Sequence, residues 1–80
     1  MNGKHMIKAI VDIAIFLEFT GEESLDPDSA LNAMERLSAE LQCMSAEDRQ
    51  IFSEQCRALS GAYGDKEGFV IGLSEALGIE

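Results

Sequence analysis

Apolar residues recur along this chain at helical spacing. Ile7, Ile10, Val11, Ala14 and Leu17 form a three-and-four stripe, with Lys8 and Asp12 together on another face. The same segment also alternates, because Ile7, Ala9, Val11, Ile13, Ile15, Leu17 and Phe19 are all apolar. No second segment offers a strand partner, and a lone strand would leave its backbone groups unpaired. A helix over about residues 6–20 is therefore expected, with Ile15 and Phe19 falling near Lys8 and Asp12, away from the main stripe.

Gly21 ends this helix, and Asp26-Pro27 starts the next. Aspartate caps the first turn, and proline at the first helical position gives up an N–H that has no partner there. Leu31, Met34, Leu37 (or Ser38) and Leu41 carry the stripe of a second helix over about 27–42. Ser45-Ala46-Glu47-Asp48 resembles a capping box and opens a third over about 46–60, with Phe52, Cys56, Leu59 and Tyr63 on one face. Gly61 and Gly64 break it, in a glycine-rich connection expected to be the most mobile loop. Asp65 is placed to cap a fourth over about 66–77, where Phe69, Leu73 and Leu77 align and Gly78 supplies a left-handed stop. The expectation is all-α: one small domain spanning residues 1–80, a compact antiparallel bundle of four short helices joined by short loops.

Charge alters this picture more than composition does. Fifteen acids against six bases give a formal charge of −9, while 46% apolar residues are enough for a core, so the chain is no disordered acidic tail. Such a surface repels nucleic acid phosphates and anionic lipid headgroups and favours a basic protein partner. The stretch Ile7 to Leu17, interrupted by Lys8 and Asp12, falls short of the ~20 residues that span a bilayer. Residues 1–5, followed by Met6, read as an unstructured cloning leader, which would leave His5 without a role. Cys43 and Cys56 are too few for a disulfide scaffold and sit within or beside apolar stripes, so packing thiols and a cytoplasmic setting are expected.

Catalytic chemistry finds little support. Apart from His5 there is no histidine to activate a nucleophile and no glycine-rich phosphate loop, so neither an enzyme nor a cofactor is expected. Asp26 and Asp28 stand two apart, as at the start of a calcium loop. Ala30, Leu31 and Leu37 then occupy the fifth, sixth and twelfth positions, where such a loop needs an oxygen ligand, a glycine and a glutamate. Two cysteines without histidine partners make no zinc site either. Ser24-Leu25-Asp26 before a helix resembles the modified serine of acyl carrier proteins, although Glu23 stands where that family has aspartate.

The acids are unevenly distributed. No base lies between Lys8 and Arg36, while Asp12, Glu18, Glu22, Glu23, Asp26, Asp28 and Glu35 supply seven acids, five of them from Glu18 to Asp28. Concentrated like charge costs stability unless something compensates it. The helix dipole accounts for Asp26 and Asp28 but not for Glu18, Glu22 and Glu23. Ile15, Phe16 and Phe19 add apolar excess to the same end of the first helix. A partner-binding surface of Asp12, Ile15, Phe16, Glu18, Phe19, Glu22, Glu23, Asp26 and Asp28 follows, facing one basic protein such as a toxin, effector or secreted protein.

In size, charge and helical architecture the chain resembles the immunity proteins that neutralise bacterial nuclease toxins. That likeness implies an inhibitor whose acids cover a basic active site. Their tyrosine pair with its following proline is missing, Tyr63 being the single tyrosine. Two other classes stay open: a homodimeric structural or regulatory domain with the first helix as its seam, and a secretion co-chaperone or adaptor.

Overall fold

The computed structural model describes residues 3–80 and is all-α among them. Helix α1 spans Lys4–Phe19, α2 Pro27–Gln42 and α3 Ala46–Leu59. A 3-10 segment, Ser60–Lys66, continues α3 and leads through two short pieces, α4 (Glu67–Ile71) and α5 (Leu73–Ala76), to the C-terminal residues. The expected fourth helix is thus divided. Gly68 and Gly72 weaken its helix propensity by about 1 kcal/mol each, and the backbone departs from helix at Gly72. Met1 and Asn2 of the expected leader lie outside the described residues, while Lys4 and His5 belong to the first turn of α1.

The capping signals act mostly as their chemistry requires. Asp26 accepts a hydrogen bond from the Ser29 amide at 3.0 Å, with Pro27 beside it as the first helical residue. Ser45 Oγ accepts from the Asp48 amide at 3.1 Å. Asp65 does not cap α4, whose N-terminus has no side-chain cap; it lies instead 3.8 Å from Lys66 Nζ. Gly78, at φ +73°, ends α5: its amide bonds the Glu75 carbonyl and the Ile79 amide bonds the Ser74 carbonyl, a Schellman pair that turns Ile79 inward.

Ile7, Val11 and Ala14 of α1 meet Phe52 and Cys56 of α3 and Val70, Leu73, Leu77 and Ile79 of the C-terminal segment in one core. From α2 only Leu41 is buried, while Met34 and Leu37 are half-covered and Leu31 is exposed. Polar bonds help to hold that helix. Ser38 Oγ and Gln42 Nε2 both donate to the Leu77 carbonyl, one of the acceptors that a helix C-terminus leaves free. The ambiguity between Leu37 and Ser38 is thereby resolved, since Ser38 faces a partner carbonyl while Leu37 packs beside it. Ser53 and Ser74, both buried, satisfy each other at 3.0 Å across the α3–α5 contact.

Candidate functional site

The nine residues expected to bind a partner fall into three groups. Asp12 is engaged within the molecule. Tyr63 Oη donates to it at 2.7 Å, and Lys8 Nζ lies 3.2 Å away, one helical turn earlier. The tyrosine hydrogen bond and then Lys8 hold the Asp12 carboxyl below its ordinary range, while Asp12 raises Lys8. Burial, reinforced by Asp12, pushes the Tyr63 phenol up. This contact pins the 3-10 segment to the middle of α1, where the sequence pattern suggested only a glycine-rich loop. Gly64, at φ 57° and ψ −123°, takes the sharp bend that lets Tyr63 reach back.

Ile15 and Phe19 belong to the same side of α1. Ile15 is half-buried against the core. Phe19 meets Phe69 edge to face with ring centroids 5.1 Å apart, and Lys66 Nζ stands 4.4 Å from its centroid. Phe19 thus joins α1 to Phe69 of α4, although half of Phe19 remains exposed. Phe16 lies on a different face and is equally exposed.

The acids of the α1–α2 connection form the third group. Glu18, Glu22, Glu23, Asp26 and Asp28 are all exposed. Asp26 also accepts from Ser29 Oγ at 3.0 Å, and among the described residues none of the five takes part in an ion pair. Beside them opens a shallow hollow of about 370 Å³ lined by Leu17, Leu25, Pro27, Ala30 and Leu31 together with Glu18, Thr20 and Glu22. A lining that combines apolar side chains with two carboxylates is suited to a side chain with an apolar stem and a cationic head, such as lysine or arginine. Leu17, Leu25 and Leu31 were not singled out as site residues from the sequence. Their signal was that the α2 stripe starts one turn before the core reaches it, which leaves Leu31 apolar without a cover.

A larger hollow of about 570 Å³ lies between α3 and the C-terminal residues, with Arg49, Ser53, Arg57 and Glu80 among its lining. The Glu80 carboxylate already takes hydrogen bonds from Arg57 and from Ser74 Oγ. Arg49 Nε is buried there without a hydrogen-bond partner among the described residues. Two bases and two acids, Glu54 being the second, leave this hollow close to neutral. Among the described residues no cluster of histidine, cysteine and carboxylates could hold a metal, and no helix is long and apolar enough to cross a membrane.

The two thiols differ. Cys56 is fully buried, and desolvation pushes its pKa up to about 11, so it packs as expected. Cys43 departs from expectation: it is exposed one residue beyond α2, its Sγ 3.4 Å from the Ala39 carbonyl. In comparisons with known proteins, no family model matches the chain, and neither a curated protein nor a solved structure matches it significantly.

Proposed function

We propose that this chain is a non-catalytic interaction module that binds one basic protein partner through its α1–α2 end. The observation that carries this reading is the pairing of five exposed acids, outside any ion pair among the described residues, with a hollow lined by apolar side chains and by two of those acids. The acids attract the partner over distance and speed the encounter, while the hollow supplies the desolvated contact that gives residence time. Inhibition of a basic toxin, as in the immunity proteins, is the form of this function that the charge favours. The cytoplasm suits an exposed free thiol such as Cys43, and the net charge of −9 argues against nucleic acid or an anionic membrane as the target.

The test is capture from a bacterial lysate with four immobilised forms of the protein. A specific partner is retained by the native chain at low salt and reduced at high salt. It is lost from Glu22→Lys/Glu23→Lys and kept by Glu40→Lys/Glu47→Lys, which changes the net charge equally elsewhere. Leu31→Asn, which leaves the charge alone, weakens it too. Retention that follows net charge in both double variants and ignores Leu31→Asn is simple ion exchange and overturns the proposal.

A further inference from the structure

Arg49, Ser53 and Arg57 stand four residues apart on α3, one turn above another, and all three line the hollow of about 570 Å³ beside the C-terminal residues. That volume falls within the range of small-molecule pockets. None of its lining residues belongs to the acidic hollow at the α1–α2 end.

One of the two arginines already holds a carboxylate. Glu80 accepts one bond from Arg57 and another, at 2.7 Å, from Ser74 Oγ, which pairs in turn with Ser53 at 3.0 Å. The chain's own side chain thus shows the chemistry this surface accepts. The other arginine is unanswered. Arg49 forms no ion pair among the described residues, and its Nε is buried without an acceptor among them. A charged donor shielded from water and left unpaired costs free energy, which an incoming acceptor restores. We propose that Arg49 binds the carboxylate of a small organic acid in this hollow, beside the Arg57–Glu80 pair.

Geometry and charge narrow the ligand. A guanidinium presents Nε and one Nη as a planar fork that matches the two oxygens of a carboxylate. Arg49 and Arg57 balance Glu54 and Glu80, so a monoanion leaves the filled hollow with one negative charge and a phosphate dianion leaves two. In a chain of net charge −9 the single charge is the more readily held. Ala46 and Ile79 in the lining offer contact to a short alkyl tail. A single fork in an open hollow binds weakly, in the millimolar range.

Titration with sodium butyrate, followed through the arginine Nε–Hε NMR signals at constant ionic strength, tests it. The Arg49 signal is expected to shift and saturate in the millimolar range, with Arg57 moving less because Glu80 holds it. Sodium chloride is expected to leave Arg49 unmoved, and inorganic phosphate to bind more weakly than butyrate. Followed through backbone amides around the hollow, Arg49→Lys keeps the charge but loses the fork, and is expected to weaken binding several-fold with an unchanged helical circular dichroism spectrum. Glu54→Gln removes a like charge from an exposed position and is expected to tighten binding. A shift that never saturates, equal shifts with chloride, or a response carried by Arg57 overturns the proposal. Butyrate binding indifferent to Arg49→Lys, or not tightened by Glu54→Gln, overturns it as well.

Discussion

Replacing Tyr63 by phenylalanine removes one oxygen and tests how the 3-10 segment is held to α1. Tyr63 Oη donates to Asp12 Oδ1 at 2.7 Å across 51 positions of sequence. A hydrogen bond to a charged acceptor contributes about 1.5–3 kcal/mol when shielded. Asp12 is half exposed and keeps Lys8 at 3.2 Å, so solvent screening reduces the expected loss to about 1 kcal/mol at neutral pH. In a domain of this size that lowers Tm by about 4–8 °C. The sign with pH follows from the direction of the shift. The folded carboxyl lies below its unfolded value near ~3.9, so its contribution is present above that value and is lost as pH falls through the folded pKa. Urea unfolding of the native chain and Tyr63→Phe at pH 7 and at about pH 2.5 should therefore show a gap that narrows in acid. A gap of the same size at both pH values would assign the loss to something other than the ionised Asp12 carboxylate and refute the role given to the hydrogen bond.

Three further outcomes are expected. Gly78→Ala forces a left-handed residue to carry a Cβ that would meet Gln42 Nε2 at 2.9 Å; a loss of about 1–2 kcal/mol in chemical denaturation is expected, and a neutral result would contradict the Schellman ending. Phe52→Ala empties the centre of the core and should cost about 3–5 kcal/mol, enough to abolish the cooperative thermal transition. Under native conditions a thiol reagent should label Cys43 at the rate of a free thiol and Cys56 only on unfolding, because burial both covers the second and holds it protonated. Equal labelling rates would contradict the packing described around Cys56.

Helices α1 to α3 were legible because their signals are local: a cap, a proline, an apolar period. The bounds of α2 match their expectation, and α3 ends one residue early. The fourth helix was misjudged because the aligned Phe69, Leu73 and Leu77 outweighed Gly68 and Gly72 in the pattern, although glycine is costly in a helix interior. The candidate site divided for a different reason. A helical wheel places Asp12, Ile15 and Phe19 on one side of α1 but cannot say that Tyr63 and Phe69 return to that side, since those contacts span about fifty residues. The same blindness hid the exposed face of α1. Met6, Ala9, Ile13 and Phe16 look like a second core face until the fold commits Ile7, Val11 and Ala14 to the interior. The acids from Glu18 to Asp28 were legible because no base stands near them in sequence and none pairs with them in the fold among the described residues.

Amide hydrogen exchange on the complex with a captured partner locates the binding surface directly. The account predicts added protection over residues 17–31, the acidic connection and the first turn of α2, with α3 and the C-terminal residues unchanged. Protection centred on the hollow of Arg49, Arg57 and Glu80, with residues 17–31 exchanging as in the free protein, would contradict it.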